Sequence, residues 1–166
     1  MKKIILIRHG KSAWNHPNLA DHDRPLAERG LDNVPEMGFR LKEKGIFPDL
    51  ILSSTATRAS QTAEILADVL LTPISKIVYE KNLYHATSAM IMKSIQRQDD
   101  AHELIFVVGH NPGINDFIDF FGGDLDNLPT SGQFGFLVDT DHWIQLRPEN
   151  TKFWFIDYPK KDRDYP

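Results

Sequence analysis

Short apolar runs that alternate with segments of helical periodicity are the feature that most constrains the fold of this chain. The aliphatic and β-branched side chains of these runs are typical of strands buried in a sheet. Strands are predicted at residues 4–7, 49–53, 77–79, 104–108, 134–138 and 153–158. Helices are predicted at residues 26–41, 59–70, 88–98 and 112–121. The alternation predicts an α/β domain of three layers, in which helices flank a mostly parallel central sheet.

The ends of the helices carry signals of their own. Pro35 lies within the first helical segment, where it either kinks the helix or begins its main part. Ser54 or Thr55 is expected to cap the second helix, because a side-chain oxygen can accept a hydrogen bond from a free backbone N–H. Pro112 stands where proline opens a helix.

Composition excludes several classes of protein. The chain has 166 residues, which suits one domain, and we assign 1–159 to that domain and 160–166 to a polar tail. It has no cysteine, so disulfides, thiolate metal sites and cysteine nucleophiles are excluded. A net charge of −4 argues against broad nucleic-acid binding. The apolar run at 4–7 is too short for a signal peptide or a membrane span, so we expect a soluble cytoplasmic protein.

Three strands are followed by residues that carry chemistry. His9 follows the first strand, Arg58 lies in the first turn of the helix after the second strand, and His110 follows the strand at 104–108. The carboxyl ends of parallel strands lie on one edge of a sheet, so these residues can meet. A cation in the first turn lies at the positive end of the helix dipole, which is mildly unfavourable. A bound anion would make the electrostatic interaction at this position favourable. Gly10 would let the backbone approach a ligand closely. Together these residues predict an anion pocket.

Each of these residues also has a plainer explanation when it is taken alone. A histidine at a strand end is usually a satisfied polar residue, Arg58 could pair with Glu64, and residues 110–113 could form a turn. Asn15 could likewise cap a turn. The seven histidines lack the spacing of a zinc site, so no metal is predicted. Only their joint placement favours the pocket.

The stretch LIRHGKSAWN, residues 6–15, resembles the signature of the histidine phosphatase superfamily, in which a histidine is phosphorylated during turnover. Residues 24–26, 52–63, 83–84 and 107–113 are similar to the short SixA-type branch, which removes phosphate from phosphohistidine. The resemblance is collinear from Lys3 to about Phe136, and the last thirty residues carry no motif of the family. It implies a phosphoglycerate mutase-like fold.

The resemblance implies a role for each matching residue. His9 would be the nucleophile, and Arg8, Arg58 and His110 would surround the phosphate oxygens, with His110 as an imidazolium. The residues expected to contact the substrate are Gly10, Asn15 and Asn111.

The general acid is where the chain departs from the family. Many members place a glutamate close before a Leu-Tyr pair, but Asn82 stands immediately before that pair here. Glu80 shares a face with Asn82 if the segment is extended, so Glu80 is the first candidate for the acid. His85 and Asp23 are weaker candidates, and the remaining possibility is that no strong acid exists. A phosphohistidine leaving group would tolerate that absence better than an alkyl phosphate.

We therefore predict a metal-independent phosphatase that needs no cofactor and works through a phosphohistidine intermediate on His9. The preferred substrate is a phosphohistidine on a partner protein, because the chain is too short to carry a large lid over the site. A small phosphorylated metabolite is the alternative, and a non-catalytic phosphate-binding module is the third possibility. Nucleic acid and membrane are not expected as partners.

Overall fold

Six strands form one sheet in the computed structural model, which describes residues 1–160. The strands are β1 (Lys2–Arg8), β2 (Leu50–Ser54), β3 (Ile77–Glu80), β4 (Leu104–Gly109), β5 (Gln133–Val138) and β6 (Thr151–Asp157). Their order across the sheet is β3-β2-β4-β1-β5-β6. The first four are parallel, whereas β5 is antiparallel to both β1 and β6. The prediction of a mostly parallel central sheet is confirmed.

The helices cover both faces of this sheet. They are α1 (Glu28–Glu43), α2 (Thr57–Val69), α3 (Ser88–Gln96) and α4 (Gly113–Phe120). Side chains alternate along β1, so Ile4 and Leu6 join a core with residues of α3 and α4, whereas Ile5 and Ile7 join a core with residues of α1 and α2. The sheet is therefore the middle of three layers, as the sequence predicts.

The structure decides one open alternative at a helix end and differs from the prediction at another. Pro35 lies inside α1, so of the two possibilities it does not begin that helix. Neither Ser54 nor Thr55 caps α2, because Ala56 is the N-cap residue. Ser54 Oγ instead accepts a hydrogen bond from the Ala56 N–H at 3.2 Å, one step before the helix. Pro112 directly precedes α4, as predicted.

The end of the chain is only partly described. Of the predicted polar tail, 160–166, residues 161–166 lie outside the described residues. The assignment of 1–159 to one domain stays a prediction. Among residues 1–160, none of the helices has both the length and the apolar character needed to cross a membrane.

Candidate active site

Two neighbouring strands deliver the two histidines to one place. Arg8, the last residue of β1, is opposite Gly109, the last residue of β4, and the His9 N–H donates to the Gly109 carbonyl at 3.1 Å. β1 and β4 therefore end side by side at the carboxyl edge of the sheet. The ring centroids of His9 and His110 consequently lie 5.0 Å apart, with their planes tilted by 55°.

The His9 ring is held in one protonation state. His9 is 8% exposed, and its Nδ1 lies 2.7 Å from the Gly10 carbonyl oxygen. A carbonyl can only accept, so Nδ1 carries the proton and Nε2 carries the lone pair. Burial lowers the His9 pKa to about 4, and the positive charges of Arg58, Arg8 and Arg24 add to that lowering while the Gly10 hydrogen bond opposes it. Nε2 is therefore unprotonated at neutral pH, as a nucleophile would need to be.

Arg58 lies beside this lone pair. It is the second residue of α2, 6% exposed, and its Nε is 3.4 Å from His9 Nε2. One terminal nitrogen donates to the Asp21 carbonyl at 2.7 Å, and the other donates to Asp21 Oδ2 at 3.1 Å. The loop that contains Asp21 thus fixes the plane of the guanidinium group against His9.

Asp21 is a part of the site that the sequence analysis missed. Its carboxylate also accepts hydrogen bonds from the Tyr84 hydroxyl and from Arg24, the latter at 2.8 Å. These donors, with Tyr84 first, then Arg24 and Arg58, hold the Asp21 pKa well below its usual range. Burial and the nearby Asp21 carboxylate raise the pKa of Tyr84. Asp21 lies in a loop without periodicity, and the one sequence signal for it is the spacing of three residues to Arg24.

Arg8 leaves a donor free inside the protein. One of its terminal nitrogens donates to the Leu128 carbonyl at 3.0 Å, whereas its Nε is buried without a hydrogen-bond partner. Burial lowers the pKa of Arg8. Asn111 donates to the same Leu128 carbonyl at 3.3 Å and to Asn127 at 2.9 Å, and its own oxygen accepts from the Asn115 N–H at 3.1 Å. Asn111 therefore holds the loop that supports Arg8, and its predicted contact with substrate stays a prediction.

His110 is neutral in the substrate-free protein. Burial, together with the charges of His9 and Arg58, lowers its pKa to about 3, although the Asp21 carboxylate opposes that lowering. The expected imidazolium concerns His110 beside a bound phosphate, and it stays a prediction. The ring contacts Ser54, whose Oγ lies 2.8 Å from His110 Nε2, and its Nδ1 is buried without a partner.

Gly10 and Asn15 lie in different surroundings, and their predicted contact with substrate stays a prediction. The Gly10 N–H donates to Thr62 Oγ1 at 3.0 Å, and a Cβ at position 10 would lie 2.7 Å from a Val34 methyl carbon. Glycine at this position therefore allows α1 to pack closely against the end of β1. Asn15 is exposed and lines a depression beside Trp14 and His16 that does not include His9.

The three candidates for the general acid have different partners in the structure. Glu80 accepts hydrogen bonds from Ser94 of α3 and from Arg97, and it pairs with Ser54 at the carboxyl end of the sheet, so its role as the acid stays a prediction. Residues 81–83 form a 3-10 turn, which breaks the extended alternation on which that prediction depended. Asp23 faces His22 at 3.4 Å. His85 stacks on Tyr84 with ring centroids 3.9 Å apart, and Tyr84 in turn lies 5.4 Å from His110.

The fold and the site together define an α/β protein with a buried histidine beside an arginine at the carboxyl edge of its sheet. The family model of the histidine phosphatase superfamily (branch 1) matches residues 4–83, which include His9 and Arg58. An uncharacterized protein of Mycobacterium tuberculosis is 33% identical over 153 residues, which cover 86% of this chain and 92% of that protein. Phosphoglycerate mutase 1 of Saccharomyces cerevisiae is 40% identical over 81 residues, or 46% of this chain and 33% of the mutase.

Solved structures extend the similarity to almost the whole chain. A protein of Agrobacterium tumefaciens, provisionally identified as the phosphohistidine phosphatase SixA, is 28% identical with a TM-score of 0.79 and covers 95% of this chain and 99% of its own. The protein histidine phosphatase SixA complexed with tungstate has the same fold, at 22% identity, a TM-score of 0.79, and coverage of 95% and 97%. The chain belongs to the histidine phosphatase superfamily and has its phosphoglycerate mutase-like fold. It is accordingly a phosphatase, a hydrolase that acts on bonds to phosphorus.

Proposed function

We propose that this protein removes phosphate from phosphohistidine on a partner protein, through a covalent phosphohistidine intermediate on His9. The observation that carries the proposal is the state of His9 Nε2. It is an unprotonated nitrogen 3.4 Å from a guanidinium Nε–H, in a ring whose other nitrogen is fixed by a backbone carbonyl. A neutral imidazole beside fixed cations is the arrangement that nucleophilic attack on a phosphoryl group requires.

The proposed reaction has two displacements at phosphorus. In the first, the Nε2 lone pair of His9 forms a bond to phosphorus while the bond from phosphorus to the substrate's ring nitrogen breaks. If the other ring nitrogen of the substrate carries a proton, the departing group leaves as neutral imidazole. In the second, water attacks phosphorus, the Nε2–phosphorus bond breaks, and inorganic phosphate and a proton are released. Through both steps the Gly10 carbonyl keeps the proton on Nδ1 of His9.

The negative charge of the phosphoryl oxygens would be stabilised by three side chains. Arg8 and His110 each have a buried nitrogen without a partner, and a buried polar atom of this kind is expected to bind a ligand. Arg58 is buried and fixed by Asp21, so it would not need to reorganise when the charge develops.

The choice of phosphohistidine over a phosphate ester depends on the leaving group. An alkoxide needs a proton from a general acid, but Glu80 is bound by Ser94 and Arg97, and the pKa of Asp21 is held well below its usual range by Tyr84, Arg24 and Arg58. A protonated phosphohistidine ring leaves without an acid from the enzyme. The hydrogen bonds that engage Glu80 and the lowered pKa of Asp21 therefore support phosphohistidine. The proposal also includes a cytoplasmic location, because the partner would be an intracellular phosphoprotein.

The test compares three substrates for the wild-type protein. They are a histidine-phosphorylated protein, a sugar phosphate and a generic aryl phosphate. We expect kcat/KM for the phosphohistidine protein to exceed that for the sugar phosphate by at least about 100-fold, because only the sugar needs a strong acid for its leaving group. A sugar phosphate that is hydrolysed equally well would favour a small-molecule phosphomonoesterase, and no turnover of any of the three would favour a binding module.

A further inference from the structure

Ser54 is a fully buried serine with two hydrogen-bonding neighbours. Its Oγ lies 2.8 Å from His110 Nε2 and 3.2 Å from the backbone nitrogen of Ala56, and Ser54 itself is 0% exposed. A backbone N–H can only donate, so Oγ accepts from Ala56. The hydroxyl proton of Ser54 must then find an acceptor of its own, and His110 Nε2 is within reach.

Two arrangements of the protons are possible, and they differ in how many groups they leave unpaired. If the Ser54 hydroxyl donates to Nε2, the proton of neutral His110 lies on Nδ1, and that N–H is the one group without a partner. If Nε2–H donates to Oγ instead, both the Ser54 hydroxyl proton and the Nδ1 lone pair remain buried and unpaired. Each buried unpaired group costs about 1–3 kcal/mol, so the first arrangement is favoured.

We propose that Ser54 is a positioning residue that fixes His110 in the tautomer with its proton on Nδ1, so that His110 acts as a neutral hydrogen-bond donor to a phosphate oxygen. The tautomer follows from Ser54, Ala56 and His110 alone, whereas the target of the donor rests on the proposed function. His9 and His110 would thus have the same tautomer but present different ring nitrogens to the substrate. His9 has a carbonyl on Nδ1 and offers the acceptor Nε2, and His110 has a hydroxyl on Nε2 and offers the donor Nδ1.

A neutral donor suits this position better than a cation. His9 must be unprotonated to attack, and a protonated His110 with its ring centroid 5.0 Å away would add a third positive charge beside Arg8 and Arg58. The lowered pKa values of both rings agree with a neutral pair. A neutral imidazole can still polarise an oxygen through its N–H, and its proton need not be taken up from solvent.

The direct test is nitrogen NMR of histidine-labelled protein near pH 7, with the His110→Asn variant to assign the His110 signals. We expect a proton-bearing Nδ1 and an unprotonated Nε2 in wild-type His110. In Ser54→Ala we expect part of the population to move its proton to Nε2. A wild-type spectrum with the proton on Nε2 would overturn the inference whatever the activity of the protein.

Kinetics and phosphate binding separate this inference from the proposed function. We expect Ser54→Ala to lower kcat/KM for an aryl phosphate about tenfold, the effect of one lost hydrogen bond. The matched control is Ser53→Ala, since Ser53 is equally buried and its hydroxyl donates to the Ser54 carbonyl at 2.9 Å, and we expect its activity to stay within about twofold of wild type. Equal losses in both variants would overturn the positioning role.

Inorganic phosphate added to wild type should shift the signals of both His9 and His110. A shift of His9 alone would overturn the donor role of His110. A shift of neither would contradict the proposed function while the tautomer result stood.

Discussion

The two edges of the central sheet both contain buried charge, but they differ in how that charge is satisfied. At the amino edge, Lys2 is 1% exposed and donates to the carbonyls of Asp100 and His102 at 2.6 and 2.9 Å. Asp49, which is exposed at the same edge, accepts from two backbone N–H groups at 2.8 and 2.9 Å. At the carboxyl edge, Arg8 Nε and His110 Nδ1 are buried without partners. Satisfied charge fixes the fold, whereas unsatisfied donors are available to bind an anion.

The size of a surface depression does not indicate which edge holds the site. A depression of about 560 Å³ lies at the amino edge, where its lining includes Asp49, Leu71 and His102. None of the site histidines lines it. The unpaired polar atoms therefore locate the site more reliably than the volume of a depression does.

The largest expected effect is the difference in kcat between two single variants, one at each edge of the sheet. We expect His9→Ala to lower kcat by about 10⁴-fold or more, because no other group can form the covalent intermediate. Lys2→Met should keep kcat within about twofold of wild type but lower the stability of the protein, because it removes the hydrogen bonds from Lys2 to the carbonyls of Asp100 and His102. Aryl phosphate turnover and urea unfolding measure the two effects.

Phosphate binding completes that comparison. His9→Ala should still bind inorganic phosphate in calorimetry, because Arg8, Arg58 and His110 remain. If His9→Ala keeps wild-type turnover, the covalent mechanism is wrong.

The second effect is on stability as a function of pH. His9 and His110 have folded pKa values of about 4 and 3, below the unfolded value of 6.5. The unfolded chain therefore binds protons first as the pH falls, and the free energy of unfolding decreases between pH 6.5 and about 4. Each histidine should contribute a loss of about 3 kcal/mol across this window.

The matched variants for this prediction are His110→Asn and His16→Asn, the second at an exposed histidine outside the site. Urea unfolding at pH 7 and pH 4.5 should show a smaller loss of stability in His110→Asn than in wild type, and an unchanged loss in His16→Asn. The same loss in all three proteins would show that His110 is not desolvated as the structure has it.

The convergence of the strand ends could be predicted from the sequence because it depends on patterns. The runs at 4–7 and 104–108 are apolar on both faces, which indicates strands covered by helices on two sides, and parallel topology then fixes which ends meet. The same patterns predict that His9 and His110 lie at one edge of the sheet.

The partners of the site residues could not be predicted in the same way, because they depend on tertiary contacts. Glu80 was assigned by extending a strand alternation into a segment that forms a 3-10 turn. Ser54 was interpreted as a cap for α2, although its hydroxyl contacts a histidine 56 positions later in the chain. The charge state of His110 follows from its burial and from His9, neither of which a local pattern encodes.

The third effect tests whether the geometry of Arg58 matters beyond its charge. We expect Arg58→Lys to lower kcat/KM about 100-fold, because lysine keeps the charge but loses the planar group that contacts Asp21 and His9 together. The control is Arg40→Lys, since Arg40 is also bound by carboxylates, those of Glu36 and Asp157, each at 2.9 Å. Arg40→Lys should keep kcat/KM within about twofold. Equal activity in Arg58→Lys and wild type would mean that a point charge suffices at this position.

The smallest effect should come from removing divalent cations, and it sharpens the contrast between the edges by asking what supplies positive charge at the site. The carboxyl edge places the guanidinium groups of Arg8 and Arg58 beside the two histidines, and these groups cannot be removed by a chelator. A phosphoryl group held by guanidinium forks needs no Lewis acid, so activity after dialysis against EDTA should stay within about twofold of the untreated protein. Aryl phosphate turnover is measured before and after dialysis, and again after Mg²⁺, Mn²⁺ or Zn²⁺ is added. Loss of activity that a metal restores would show that the arginines alone do not neutralise the phosphate. The unpaired nitrogens of Arg8 and His110 would then donate to a phosphate that is also bound to a metal ion.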